Sequence, residues 1–232
     1  MGKSPAFPWE QSLVIRMVTG TFALALAAFF TASAISFILA RGELKQAVLE
    51  RLESVSQIKT NQVEHWLAER RQHLQFVAQL EEVQAYAARA VLSGDALGGI
   101  KSVRSHLSAF FSTMIKNYPD YQEIFLLRPE GGRVVASSNP ASMNQFQVSF
   151  KYFRRGLEAF YLQPVYPSPV TLRPTMTMAL PLYAEDGELV GVLAAHLNLA
   201  RIDALLDQRT ESGLYESTYL VDEFNMLVSG EG

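Results

Sequence analysis

A charge-free segment near the N-terminus limits what this chain can fold into more than any other feature. Met17–Ala40 holds 24 consecutive residues without Asp, Glu, Lys or Arg, and Arg16 and Arg41 bracket it. A helix rises about 1.5 Å per residue, so the segment spans about 36 Å, enough to cross a hydrocarbon core of about 30 Å. We therefore predict a transmembrane helix at residues 13–40.

A cleaved signal peptide and a buried core helix are the alternative interpretations of this segment. Ala32, Ser33 and Ala34 resemble a small-residue cleavage site. The apolar region of a signal peptide, however, is about 7–15 residues long, which is much shorter than the segment here. The length therefore favours an uncleaved anchor.

The orientation of this helix rests on a weak charge argument. Lys3 and Arg16 precede the segment and Arg41 and Lys45 follow it, so the positive-inside rule is nearly balanced. The chain beyond Arg41 is acidic, with 17 basic and 22 acidic residues. We expect residues 1–12 to be a cytoplasmic N-terminus and the larger part of the chain to lie outside the cytoplasm.

Composition excludes several classes of protein. Apolar residues make up 49% of the 232 residues and charged residues 19%, so the chain can bury a sizeable core. A net charge of −3, without a basic tract, argues against a nucleic-acid partner. Cysteine is absent, which excludes disulfides and thiolate metal sites.

Helical periodicity follows the membrane segment. Residues 41–92 contain no proline and no glycine after Gly42, and apolar residues recur at steps of three and four, beginning with Leu44, Val48 and Leu52. This pattern predicts one long amphipathic helix that leaves the membrane. A second helix is predicted from Ile100 to Lys116.

The pattern then changes to short strands and turns. Two hairpins are predicted, Gln122–Arg128 with Arg133–Ser138 and Thr175–Tyr183 with Glu188–Leu199, each joined by a turn containing glycine. A short helix (Lys151–Leu162) and an extended proline-containing stretch lie between the hairpins, and another helix begins at Ala200. Ser217–Asp222 and Asn225–Ser229 begin a further hairpin.

These elements predict an α+β fold with an antiparallel sheet. We expect the long helix to cover one face of the sheet, and a loop and the short helix to leave a cleft on the other face. Because another unit starts near the C-terminus, we expect the chain to be a fragment of a longer protein or a truncated gene product.

The order of several segments resembles a known family. YQEIFLLRPEGGRVVASSN is followed by KYFRRGLEAF, by PVYPSPVTLRPTMTMALPLYAEDGELVGVLAAHLNL and then by ESGLYESTYLVD. Together they resemble the double Cache sensor domain of bacterial transmembrane receptors, a tandem of PAS-like modules. The resemblance implies a membrane-distal module at residues 93–210 and the start of an incomplete membrane-proximal module at 211–232.

The resemblance also implies a function. Such receptors bind a small molecule in the distal module and signal through the membrane to a histidine kinase, diguanylate cyclase or chemotaxis domain, none of which is present in this sequence. We therefore expect a single-pass protein of the bacterial inner membrane that senses a ligand outside the cytoplasm. A homodimer formed through the long helix is also expected.

Two positions depart from the relatives that bind amino acids. Those relatives place an Arg two residues before an aromatic pair to hold the ligand carboxylate, and an Asp on the last strand to hold the ammonium. The pair corresponds to Tyr152 and Phe153, so the Arg position is Phe150 and the Asp position is His196. A phenylalanine cannot clamp a carboxylate, which argues against an α-amino acid in the usual pose.

Alternation along the last strand divides its residues between two faces. Leu193, Ala195, Leu197 and Leu199 share one side, and Val192, Ala194 and His196 share the other. We expect the first set to pack on the long helix and the second to line the cleft. The expected ligand-binding residues are Tyr152, Phe153, Arg155, Tyr166, Arg173, Thr175 and His196.

Structural roles stay open for most of these residues. A lone histidine is often structural, and Tyr152 and Phe153 are equally compatible with the core. Arg173 follows a turn and precedes Pro174, which favours an exposed surface position for it. We expect no catalytic residue, metal site or cofactor, since nucleophile, phosphate-loop and metal-spacing motifs are missing from the sequence. A membrane-anchored adaptor that binds a partner through the long helix is the alternative function, and a periplasmic hydrolase lacks a nucleophile.

Overall fold

A computed structural model describes residues 9–92, 99–168, 174–207, 220–221 and 227–229, with side chains over 15–91, 102–168, 174–207 and 220–221. The helices within these ranges are α1 (Trp9–Gln79), α2 (Glu81–Leu92), α3 (Gly99–Asn117), α4 (Lys151–Gly156) and α5 (Ala200–Leu206), with a 3-10 turn at Pro140–Ser142. The strands are β1 (Tyr121–Leu127), β2 (Val134–Ser137), β3 (Tyr161–Pro167), β4 (Pro174–Tyr183), β5 (Leu189–Leu197), β6 (Leu220–Val221) and β7 (Leu227–Ser229).

The chain divides into two compact units, residues 1–58 and 59–232. In the first unit the apolar part of α1 is fully exposed, with a mean hydropathy of 2.2 over an 18-residue window. Thr19 and Thr21 bond back to carbonyl groups of the preceding turn; the Thr19 hydroxyl donates to the Ile15 carbonyl at 2.7 Å. These bonds satisfy hydroxyl groups in a segment that is long and apolar enough to cross a membrane.

The long helix was predicted to continue without a break to Leu92, but it does not. It ends at Gln79, Leu80 is not helical, and α2 starts at Glu81. The Gln84 side chain donates to the Ala78 carbonyl at 3.1 Å, so a side chain replaces a backbone partner at this break. The interruption redirects the chain so that Val83 and Ala87 of α2 are buried in the core of the second unit.

The second unit contains a five-stranded antiparallel sheet in the order β2-β1-β5-β4-β3. The central strand β5 joins the two predicted hairpins, because it pairs with β4 and also with β1. Gly191 permits this second pairing: a Cβ atom there would lie 2.4 Å from the Leu127 carbonyl oxygen. The antiparallel α+β architecture predicted from the sequence is therefore confirmed.

The two faces of β5 are those predicted from its alternation. Leu193, Ala195 and Leu197 belong to a core that includes residues of α1, α2 and α3, while Val192 and Ala194 belong to a smaller cluster on the opposite face. This opposite face, which carries α4, is called the α4 face below. The face of the sheet that carries Leu193, Ala195 and Leu197 is thus covered by three helices, whereas the prediction named the long helix alone.

The element after α4 differs from the prediction. The helix ends at Gly156, where a Cβ atom would lie 2.8 Å from a methyl group of Val192, so glycine allows α4 to lie close to the sheet. Tyr161 and Leu162, predicted as helical, instead begin the edge strand β3 and pair with Ala179 and Met178 of β4. At the other end of the described chain, β6 and β7 form the predicted hairpin.

Candidate functional site

Three polar side chains form a hydrogen-bonded chain across neighbouring strands on the α4 face. The Tyr166 hydroxyl of β3 lies 2.6 Å from the Thr177 hydroxyl of β4. The same Thr177 oxygen lies 2.7 Å from Nδ1 of His196 on β5. Register explains the arrangement, since Thr177 is the direct cross-strand partner of His196. Thr177 and His196 are buried.

The Tyr166–Thr177–His196 hydrogen-bonded chain can be polarised in two directions. If Tyr166 donates to Thr177 and Thr177 donates to Nδ1, the imidazole carries its proton on Nε2 and offers a donor. If Nδ1–H donates to Thr177 and Thr177 donates to Tyr166, Nε2 becomes an acceptor and the tyrosine hydrogen becomes available. None of the described residues bonds to Nε2. This hydrogen-bonded chain can therefore present either a donor or an acceptor at Nε2 of His196.

Burial fixes the charge of these groups near neutral pH. It lowers the pKa of His196 from its ordinary value of 6.5 to about 4. It also raises the pKa of Tyr166 to about 12, against the opposing effect of the bond to Thr177. At pH 7 both groups are uncharged, so a protonated His196 facing an anion is disfavoured.

Aromatic rings pack around this chain. Phe125 lies over the imidazole of His196, with ring centroids 4.7 Å apart. Phe150 stacks on Tyr152 at 5.4 Å with the ring planes 22° apart, and its centroid is 5.6 Å from that of Tyr166. Tyr152 also meets His196 edge-on at 6.2 Å. These five side chains are called the aromatic cluster below.

The Tyr152 hydroxyl is a polar group within this apolar setting. The residue is fully buried, and its Oη atom makes no hydrogen bond of good geometry with a described group, although the Tyr166 hydroxyl lies close enough to interact with it. Burial, followed by the electrostatic influence of Tyr166, raises its pKa. The backbone of Tyr152 is held separately, because its N–H donates to the Gln163 side chain at 2.9 Å. An unsatisfied buried hydroxyl is uncommon in folded proteins and marks a position where a ligand can supply a partner.

A buried carboxylate on β1, which sequence reasoning missed, also lies on this face. Glu123 is the cross-strand partner of His196 and is 3% exposed. Ser137 donates to its Oε1 at 2.6 Å, and the Asn139 amide lies 3.5 Å from Oε2. Burial raises the pKa of Glu123, and these hydrogen bonds oppose the rise. Its charge influences both Tyr152 and Tyr166.

The antiparallel sheet and the helices that cover one of its faces are consistent with the family comparison. The family model of the Cache domain matches residues 40–231. The chain belongs to the Cache domain family. Within the described residues it also has one helix that is long and apolar enough to cross a membrane.

Solved structures show the same fold. The sensor domain of the V. cholerae histidine kinase DctB matches with a TM-score of 0.59 and 14% identity, over 71% of this chain and 61% of that chain. The ligand-binding domain of the Campylobacter jejuni chemoreceptor Tlp3, in complex with L-valine, gives 0.58 and 14% identity, over 81% and 73%. That of the Pseudomonas aeruginosa PAO1 amino acid chemoreceptor PctC, in complex with GABA, gives 0.52 and 15%, over 78% and 74%.

The chain thus spans less than two thirds of the DctB sensor domain that it resembles. No curated protein matches the chain significantly. At these identities the structural matches establish the fold of this Cache domain, whereas the ligands named belong to those receptors.

The Cache fold brings five of the seven predicted site residues to the α4 face. Tyr152, Tyr166 and His196 lie in the aromatic cluster, and Thr175 is buried opposite Tyr166 in the register of β3 and β4. Phe153 is buried, and its ring would lie 3.2 Å from a Cβ atom at Gly132.

Two predicted arginines do not join this group. Arg155 is exposed and pairs with Glu158 at 3.7 Å. Arg173 lies outside the described residues. The ligand-binding role of all seven residues stays a prediction.

The predicted set omitted Thr177, Phe150 of the aromatic cluster, and two residues of β1, Glu123 and Phe125. The last two lie in an apolar strand segment, YQEIFLL, whose alternation places Glu123, Phe125 and Leu127 on one face. A charged residue at an inward position of such a strand was the available signal.

Proposed function

We propose that this chain is the membrane-anchored, extracytoplasmic ligand-sensing part of a bacterial signal-transducing receptor. The carrying observation is the Tyr166–Thr177–His196 chain within the aromatic cluster, on the α4 face of a Cache sheet. Sites for small molecules combine apolar walls with a few convergent polar groups. In this proposal α1 crosses the inner membrane once, the N-terminus is cytoplasmic, and a histidine kinase or diguanylate cyclase domain is the output.

A link from the site to α1 supports a signalling role. Asn198 follows β5 directly, and its backbone N–H donates to the Asp120 carbonyl at 2.8 Å. The Asp120 carboxylate pairs with Arg70 of α1 and accepts from Nε of Arg201, on α5, at 2.7 Å. The strand that carries His196 is therefore joined through Asp120 to both helices.

A second contact joins the same two helices. Lys59 of α1 is 6% exposed, and its Nζ donates to the Leu205 carbonyl of α5 at 2.9 Å. We propose that ligand contact with β5 shifts α5 against α1 and so changes the population of two helix arrangements.

Exposed apolar side chains on the membrane-emerging part of α1 support a homodimer. Leu44, Val48 and Leu52 are spaced by four residues and are each about half or more exposed. Apolar residues at this spacing form one stripe along a helix, and pairing with the same stripe of a second copy would bury it.

A thermal-shift screen of small molecules against the full chain in detergent tests the sensing role. A true ligand raises the midpoint of unfolding in the wild-type protein, and this shift should disappear in Tyr166→Phe and His196→Ala. Tyr183→Phe is the matched control, because Tyr183 is an exposed tyrosine of β4. Equal stabilisation of all variants would place the site elsewhere.

Two further measurements test anchoring and signalling. A reporter active only in the cytoplasm, fused after Gly232, should be inactive; activity would overturn the orientation.

Once a ligand is found, Asp120→Asn should leave its affinity within about twofold. The same substitution should abolish the ligand-dependent change in crosslinking between cysteines introduced in α1 of two copies. An unchanged crosslinking response would reject the proposed link.

A further inference from the structure

The charge on the α4 face differs from that needed to hold an amino acid. Among the described residues, no Lys or Arg bonds to Glu123, Tyr152, Tyr166 or His196. The cationic side chains of α4, namely Lys151, Arg154 and Arg155, are exposed. His196 is neutral at pH 7. Glu123 is the only described carboxylate shown to influence the tyrosines of the cluster.

We propose that the aromatic cluster and Glu123 form a site for an organic cation, an ammonium compound without an α-carboxylate. This inference rests on the proposed sensing function and names the ligand class for the same site. The acid is supplied by β1 and is the register partner of the residue on β5. A carboxylate thus stays next to position 196 although position 196 itself is a histidine.

The ring geometry suits such a ligand. Phe150, Tyr152 and Tyr166 have centroids 5.4 to 6.1 Å from one another. A cation over an aromatic face is attracted by the ring quadrupole within about 6 Å, more strongly where water is excluded. Phe150 and Tyr166 are partly exposed while Tyr152 is buried, so the cluster has an accessible side and a closed side.

The polar atoms of the cluster can act as acceptors for ammonium N–H groups. The Tyr152 oxygen accepts no hydrogen bond of good geometry from a described group, and Nε2 of His196 accepts when its Nδ1–H donates to Thr177. The Glu123 carboxylate adds the opposite charge. An anionic group of a ligand finds no counter-charge among the described residues of this face.

Glu123 also has a structural role, since it accepts from Ser137 and Asn139 next to the turn at Pro140–Ser142. The two roles differ in one measurable respect. A purely structural glutamate affects stability without discriminating between charged and uncharged ligands, whereas a binding glutamate favours the charged ligand.

Matched probes of equal shape separate these roles. Binding of choline and of its uncharged carbon analogue 3,3-dimethyl-1-butanol to the full chain in detergent is measured by titration calorimetry, with n-butylammonium and 1-butanol as a second pair. The ammonium member of at least one pair should bind at least tenfold more tightly than its neutral partner. Glu123→Gln should weaken that binding about 10- to 100-fold, as expected for a lost bond to a charged group.

Phe150→Leu should also weaken cation binding, because an aliphatic side chain keeps the apolar volume and removes the ring face. Glu158→Gln is the control, since Glu158 is an exposed acid that pairs with Arg155. Thermal unfolding of each ligand-free variant shows whether it is folded.

Any one of three results would overturn the cation assignment. These are no binding by either ammonium probe, equal binding of the neutral partners, or unchanged affinity in a folded Glu123→Gln protein. If the screen above finds a neutral or anionic ligand that depends on His196 and Tyr166, sensing holds and only the ligand class fails. If neither screen yields a ligand, the sensing function itself fails.

Discussion

The buried imidazole of His196 makes the stability of the domain depend on pH. Burial lowers its pKa to about 4 in the folded protein, whereas the unfolded chain has the ordinary value of 6.5. Between these values the unfolded state binds a proton that the folded state rejects. The contribution of His196 to stability is therefore complete above pH 6.5 and is lost as the pH falls towards 4.

The size of this loss follows from the two pKa values. Each pKa unit corresponds to about 1.4 kcal/mol, so the full loss below pH 4 is about 3 kcal/mol. Between pH 7 and pH 5 the same linkage gives a loss of about 2 kcal/mol. Because folded domains are stable by only about 5–15 kcal/mol, a change of this size is measurable.

His196→Asn removes the titrating group and keeps a polar atom near the position of Nδ1. Urea denaturation at pH 7 and pH 5, followed by the fluorescence of Trp66 in a Trp9→Phe background, gives the free energy of unfolding for both proteins. Trp66 is a suitable probe because it is buried in the core of the domain.

We expect the wild-type protein to lose about 2 kcal/mol more than His196→Asn between the two pH values. The raised pKa of Glu123 acts in the opposite direction and is common to both proteins, so it cancels in the comparison. Equal losses in the two proteins would refute the argument that His196 is buried in its neutral form.

Two matched pairs of substitutions test the packing of the sheet and its tyrosines. Gly191→Ala should cost about 2–3 kcal/mol in unfolding free energy, because its Cβ would meet a backbone oxygen. Gly156→Ala should cost less, since side-chain atoms are its nearest neighbours; a reversed order of the two unfolding midpoints would contradict this. Tyr121→Phe should cost about 1–2 kcal/mol, because the Tyr121 hydroxyl donates to the Arg70 carbonyl at 3.0 Å. Tyr152→Phe should leave the ligand-free protein unchanged or slightly more stable, since the Tyr152 hydroxyl makes no hydrogen bond of good geometry with a described group. A comparable loss in both tyrosine variants, measured by urea denaturation, would show that the Tyr152 hydroxyl is bonded.

Elements with strong local patterns were predictable from the sequence. The predicted helix Ile100–Lys116 agrees with α3 to within one residue at each end, and the two hairpins occur where glycine-containing turns interrupt apolar runs. The facing of β5 was equally predictable, because residues of alternate parity must point to opposite sides of a sheet.

The boundaries of α1 and α4 were not predictable in the same way. The helical periodicity of residues 41–92 continues through Leu80, and only packing of α2 against the sheet decides that the helix breaks there. Tyr161 and Leu162 belong to a segment of helical composition, yet pairing with β4 makes them part of a strand. In both places tertiary contacts outweigh local propensity.

The sequence by itself determined the charge-free segment long enough to cross a membrane, the α+β class and the face of β5 that His196 occupies. All three depend on composition or on short-range periodicity. Only the tertiary structure decided that Glu123 lies opposite His196, that Thr177 connects His196 to Tyr166, and that Asp120 joins α1 to α5. These groups come from strands and helices far apart in the chain, and their proximity depends on sheet order and register, which no local pattern encodes.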